Sequence, residues 1–367
     1  MSIIVTGLLV TATLVYGLYT LYISRGLLLA IPTHDRPDLP SVAVVIAARN
    51  ESENLPQLLA DLAAQDYSGQ LDCYIADDRS TDATWSILDQ FSKQHKHFHP
   101  VRITIKSELM TPKKNALTEC LKRTTAEIIM TTDADCQVGP GWVTSAVSQM
   151  DDEVGILVGY SQVESPRIFD KYQALDFIGI MVSNAGMMAN GYAWSGSGQN
   201  LAYRRSAFTA INGFNPVSDR VSGDDVYLVQ SISARPGLTA KFNFDHNNFV
   251  RTQPMESIQA FINQRIRWSS NSRGMEKTDP LFFGFLLSAF ISNALLLVSI
   301  LFGLTGIAFW LSAALKFLGE GAVMILGARR FNYWALLPVY PIWFIIQPIY
   351  ITFVGLMGLR GKYSWKP

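Results

Sequence analysis

Between Ile3 and Ile23 the chain reads IIVTGLLVTATLVYGLYTLYI, without one charged residue. At about 1.5 Å of rise per residue, a helix of this run spans the roughly 30 Å hydrocarbon core of a bilayer. A cleaved signal peptide would carry a basic leading segment and a small-residue cleavage site after a short apolar core, and this run has neither. Arg25 follows at once, which puts the next portion on the cytoplasmic side. Apolar character returns after Pro280. LFFGFLLSAFISNALLLVSILFG (281–303) and GIAFWLSAALKFLGEGAVMILGA (306–328) read as spans, the second with Lys316 and Glu320 one helical turn apart. That pair is either an intramembrane functional site or a salt bridge that neutralises both groups. ALLPVYPIWFIIQPIYITFVGLMGL (335–359) is broken by Pro338, Pro341 and Pro348 and follows the Arg329-Arg330 pair, which marks a cytoplasmic loop. It is either a further crossing, leaving the basic tail RGKYSWKP outside, or a re-entrant or interfacial hairpin that keeps the tail inside.

The expected organisation is a transmembrane helix over 1–25, a proline-rich linker over 26–40, and a cytoplasmic domain over 41–253. An interfacial amphipathic helix over 254–275 and a membrane region of two or three spans over 281–359 complete it, giving an integral inner-membrane protein. The chain has 367 residues, with 30 basic and 30 acidic side chains. A net charge of zero gives no reason to expect a nucleic-acid partner. Cys73, Cys120 and Cys136 are widely spaced and odd in number, so they outline neither a disulfide framework nor a metal site.

From Ser41 to about Asp279 the composition is that of a soluble α/β domain. Strand-like runs VAVVIAA (42–48), LDCYIAD (71–77), VRITI (101–105) and EIIMTTDAD (127–135) alternate with helical stretches such as Glu53–Ala64 and Thr81–Gln94. This alternation predicts a mostly parallel, doubly wound sheet, whose ligands bind at the carboxyl ends of the strands. Acidic residues gather at those ends. In AARNESENL (47–55), Asn50 or Ser52 could simply cap the next helix; the other reading is a nucleotide crevice. In ADDRSTDAT (76–84), Asp77 and Asp78 stand at the tip, with Ser80 or Thr81 as helix caps and Arg79 as a counter-ion. TTDADC (131–136) directs Asp133 and Asp135 into one crevice, which suits Mg²⁺ or Mn²⁺ better than zinc. Lys113 and Lys114 begin a helix, as a solvated pair or as a phosphate contact. WSGSGQNLAYRR (194–205) is a glycine-spaced loop that lets backbone approach a ligand. In VSGDDVYLV (221–229), Asp224 and Asp225 front a helix, as an acidic first turn or with one acting as a general base.

These stretches keep a fixed order that ends in FINQRIRWSSNSRG (261–274). The segment from about Val42 to Trp268 resembles the membrane-bound, inverting family-2 glycosyltransferases of the GT-A fold. Their signature is D, DxD, an acidic motif ending in Asp, and Q(Q/R)xRW. It looks most like the ceramide-glucosyltransferase-like and carotenoid-glucosyltransferase-like bacterial members. The resemblance implies that Ala47, Arg49 and Glu51 line the nucleoside pocket, and that Asp77 and Asp78 belong to it, Asp78 binding the base. It implies Lys114, or Lys113 beside it, facing the nucleotide-sugar. Asp133 and Asp135 hold the diphosphate through the metal, Asp135 as the more direct ligand. Gly198, Gln199 and Asn200 meet the acceptor. Gln264, Arg267 and Trp268 lie beside the diphosphate and acceptor, while Arg265 and Arg273 remain a basic collar at the membrane flank. Asp225 is the base; Asp224 stands where the family often has Glu, a shorter carboxylate. The implied reaction moves a hexose from a nucleotide-sugar, with UDP favoured, to a hydroxyl of a membrane lipid. A processive polysaccharide synthase is the alternative, and a polyprenyl-phosphate sugar synthase or an inactive membrane scaffold fits the motifs less well.

Overall fold

The computed structural model describes residues 2–29, 39–272 and 275–360. Most of the expected linker, Arg273 and the tail beyond Arg360 lie outside them. Helix α1 (Ser2–Leu28) precedes strand β1 (Val42–Ala48), α2 (Leu55–Ala63), β2 (Leu71–Asp78), α3 (Thr84–Gln94), β3 (Phe98–Ile103), α4 (Pro112–Leu121) and β4 (Ile128–Thr131). Next come β5 (Gln137–Val138), α5 (Trp142–Ser148), β6 (Val154–Val158), β7 (Ser161–Val163) and α6 (Ile168–Ala189). They are followed by β8 (Leu201–Arg204), α7 (Arg205–Ala210), α8 (Asp224–Ser233), β9 (Thr239–Phe242) and β10 (Val250–Thr252). The last helices are α9 (Ile258–Ser270), α10 (Met275–Thr278), α11 (Pro280–Leu301), α12 (Ile307–Phe331) and α13 (Tyr340–Arg360). They divide into two compact units: Ala30–Val163 with Gly191–Gln253, and Met1–Leu29 with Glu164–Asn190 and Pro254–Pro367.

The first of these units is built on a seven-stranded sheet in the order β3-β2-β1-β4-β8-β6-β9. The first four strands run parallel, and β8 alone opposes its neighbours. Val42 to Ile46 are wholly buried, as expected of a central parallel strand covered on both faces. Helix α2 buries Leu55, Leu58, Leu59 and Leu62, a stripe at helical spacing. Trp142 of α5 is fully enclosed in the same core. The third strand begins three residues earlier than the sequence suggests, because Cys73 pairs with Phe98, and ends two residues earlier. Pro100 is tolerated inside it because β3 forms the sheet edge. A small sheet, β5-β10-β7, completes the unit. All three cysteines are buried free thiols.

The second unit is helical. Among the described residues four helices are long and apolar enough to cross a membrane: Ile3–Leu28, Pro280–Leu301, Ile307–Phe331 and Trp334–Arg360. The proline-broken stretch does not double back. A 3-10 segment over Trp334–Val339 contains Pro338 and leads directly into α13, which carries Pro348 in its interior. Neighbouring helices make such an interior proline tolerable in an apolar setting. Helix α1 packs on α11, α12 and α6. Arg330 donates to the carbonyls of Leu27 (2.9 Å) and Leu29 (2.5 Å), closing the end of α1. Helix α6, assigned from sequence to the soluble domain, belongs to this unit instead. Its apolar composition follows: Gly186 lies against Ile23, Val182 against Gly327 and Gly179 against Met324.

Candidate active site

At the carboxyl ends of β1 and β2 two loops are tied to one another. Asn50, in the left-handed region at φ 53°, accepts from the Thr81 amide (2.8 Å) and donates its own amide to Ser80 Oγ (2.9 Å). The Glu51 amide donates to Thr84 Oγ1 (2.9 Å) and the Ser52 amide to Asp82 (3.0 Å). The capping expected of Asn50, Ser52, Ser80 and Thr81 is therefore replaced by bonds between loops, since neither α2 nor α3 has a side-chain cap. Ala47 is half-buried and Arg49 exposed along this edge, and Glu51 accepts from Asn54 (2.8 Å). Asp77 and Asp78 are both buried. Asp77 accepts from the Ser80 amide (3.2 Å), while Asp78 takes Arg79 in a two-point bridge at 2.7 and 3.0 Å.

A second group forms around the end of β4. Lys113 Nζ donates to Asp133 at 2.6 Å, and a Cβ on Gly198 would stand 3.5 Å from the same ammonium. Burial pulls the Lys113 ammonium down, but Asp133, Asp224 and Asp225 outweigh it and hold Lys113 charged well above the ordinary lysine range. Lys114 is placed differently. It is 1% exposed, donates to the Arg220 carbonyl, and burial lowers its pKa. Of the two, Lys113 is the one bonded to Asp133, whereas Lys114, although within the field of Asp224 and Asp225, is turned to the Arg220 carbonyl.

Gly223, left-handed at φ 86°, starts α8 and sets Asp224 and Asp225 in its first turn. Asp225 accepts from the Gly198 amide (3.2 Å) and the Val226 amide (2.8 Å). Burial and the neighbouring Asp224 push its carboxyl up to about 6, against the pull of those amides and Lys113. A carboxylate poised there is matched to taking a proton near neutral pH. The Asn200 side chain is 2% exposed and bonds Trp142, Tyr160 and Asn248, so it staples the core. Gln199 stays partly exposed and donates to Thr252 (3.1 Å).

The hard oxygen donors Asp133 and Asp135 fit a divalent cation that keeps waters and binds phosphate. Asp135 accepts a long bond from Cys136 Sγ (3.7 Å). Among the described residues no three His, Cys, Asp or Glu side chains gather as a metal cluster.

In the helical unit, α9 carries Gln264, Arg267 and Trp268 at i, i+3 and i+4, on one face. Its start is capped by Ser257, which accepts from the Ala260 amide (3.2 Å). Arg265 is no collar. It is 5% exposed and bonds Asp176 of α6 at 2.7 Å. Sequence reasoning passed over Asp176, although a lone carboxylate inside ALDFIGIM demands a partner.

Fold and acidic strand ends together define a GT-A transferase in a chain with membrane-length helices. Residues 43–211 match glycosyl transferase family 2, and residues 128–346 match glycosyl transferase family group 2. The chain belongs to this family. It is 34% identical over 142 residues to a beta-monoglucosyldiacylglycerol synthase of Nostoc sp., covering 37% of this chain and 28% of that one. It is 25% identical over 282 residues to an N-acetylglucosaminyltransferase of Rhizobium meliloti, covering 70% and 61%. The chain thus spans less than a third of the Nostoc synthase. Its fold is similar to that of a mannosyltransferase from Pyrobaculum calidifontis, solved in complex with GDP-Man and Mn²⁺, with a TM-score of 0.64 and 22% identity over 98% of both chains.

Proposed function

We propose that this glycosyltransferase moves a hexose from a nucleotide-sugar, with UDP as the favoured nucleotide, to a hydroxyl of a membrane lipid, with inversion. The observation that carries the reading is Asp225, held by two backbone amides with its carboxyl raised to about 6. As the acceptor oxygen bonds to the anomeric carbon, its proton passes to Asp225. The bond from that carbon to the phosphate oxygen breaks, and the diphosphate departs with the electron pair. Lys113 steadies the anionic end of the donor, and the loops bearing Ala47, Arg49, Glu51, Asp77 and Asp78 take the nucleoside. Gln264, Arg267 and Trp268 serve the diphosphate and the acceptor. Asp133 and Asp135 would hold Mg²⁺ or Mn²⁺, which supplies positive charge to the leaving diphosphate. Lipid as acceptor is supported by the four membrane-length helices and the similarity to a diacylglycerol glucosylating enzyme. On this reading the soluble unit faces the cytoplasm, where nucleotide-sugars are made.

The test is to incubate the purified protein with a panel of nucleotide-sugars and a cell lipid extract, then analyse the products by mass spectrometry. One sugar added to a lipid is the expected result. A ladder of sugars would favour a processive synthase, and absence of any glycolipid with every donor would sink the reading.

A further inference from the structure

Asp176 lies in the middle of α6, with 5% of its surface exposed, among apolar neighbours. A carboxylate enclosed in this way is tolerated only when its lone pairs are met. The partners come from two other helices. Arg265 Nε of α9 donates to it at 2.7 Å, and from α13 come the Tyr350 hydroxyl at 3.2 Å and the Trp343 indole N–H at 3.3 Å. The Arg265 guanidinium lies 4.3 Å from the centre of the Trp268 ring and 4.5 Å from that of Phe261, and donates to Gln264. One buried cation therefore touches two of the three residues through which the QRIRW helix is proposed to act. It is held there by a carboxylate outside that helix.

We infer that Asp176 and Arg265 are positioning residues for this motif. Asp176 fixes the guanidinium, and the guanidinium fixes the side chains of Gln264 and Trp268. Tyr350 and Trp343 tie the arrangement to a membrane-length helix. The inference rests on the transferase reading above, though part of its test does not. A positioning role differs from a purely structural one because a buried ion pair exchanged as a whole for apolar side chains is often neutral for stability. Such an exchange keeps the packing but discards the directional bonds.

The experiment compares wild type, Asp176→Asn and the double variant Asp176→Leu/Arg265→Met, all full-length in detergent. Asp176→Asn is expected to lower Tm and to speed amide hydrogen exchange across residues 258–270. The double variant is expected to regain most of the lost Tm while its kcat stays about ten- to a hundredfold low, the scale of a small misplacement of reacting groups. Its KM for the nucleotide-sugar should move by less than about threefold, since the loss is in orientation rather than in uniform binding. Recovery of kcat together with Tm in the double variant would overturn the inference. If wild type transfers no sugar, the proposed function fails separately and exchange alone decides: faster exchange across residues 258–270 that persists in the double variant after its Tm has recovered upholds the positioning role, and exchange that is unchanged or recovers with Tm overturns it.

Discussion

Asp225 owes its character to its surroundings: burial and the Asp224 carboxylate raise it, while the Gly198 and Val226 amides hold it in place. A base must be unprotonated to act, so transfer should climb as pH rises through about 6 and level off above it. At pH 5 the rate should fall to about a tenth of the plateau, which a pH–rate profile at saturating donor reads directly. Asp225→Asn should lose about 10²–10⁴ in kcat, and full retention of transfer would remove it from the role of base. The adjacent lysines should separate cleanly. Lys113→Met, which abandons Asp133, is expected to raise the donor KM severalfold with little change in Tm. Lys114→Met, which empties a buried bond to the Arg220 carbonyl, is expected to act mainly on Tm.

Within helix α12, Lys316 bonds Glu320 at 2.7 Å, and the Tyr16 hydroxyl of α1 donates to the same carboxylate oxygen at 2.8 Å. Lys316 also faces the rings of Tyr16 and Phe344. The salt-bridge alternative posed by the sequence is the one the structure contains. Removing one partner leaves an uncompensated charge, so Lys316→Leu should cost about 3–5 kcal/mol in thermal or denaturant unfolding in detergent. The double change Lys316→Leu/Glu320→Leu should be close to neutral. If it instead abolished transfer without loss of stability, the pair would have a function beyond neutralisation.

Close backbone approach decides how the helical unit assembles. A Cβ on Gly26 would fall 1.8 Å from the Gly186 carbonyl oxygen, and one on Gly186 would fall 2.5 Å from that of Ile23. Neither obstacle is a flexible side chain, so Gly26→Ala must push α1 away from α6. The expected cost is about 1–3 kcal/mol, seen as a lower Tm of the full-length protein in detergent.

Local chemistry was enough to reveal a good deal. The charge-free and apolar runs fixed which segments could be membrane helices, since length and hydropathy are local properties. The alternation of strand-like runs with helical stretches made β1 and β2 readable as parallel strands, and pointed to the acidic residues at their carboxyl ends. The sequence could not show which of two adjacent lysines turns inward, because both fit a helix start and only α4's packing separates them. Nor could it show that Asn50 joins two loops rather than capping a helix, or that Asn200 is spent on the core. Those outcomes depend on partners 30 to 58 residues away. The same holds for Arg265 and Asp176, 89 residues apart, and for α6, whose apolar surface is explained only by the helices beside it. Sequence alone determined residue types, periodicity and motif order; tertiary structure decided which polar groups meet, because a buried charge is settled by whatever the fold brings to it.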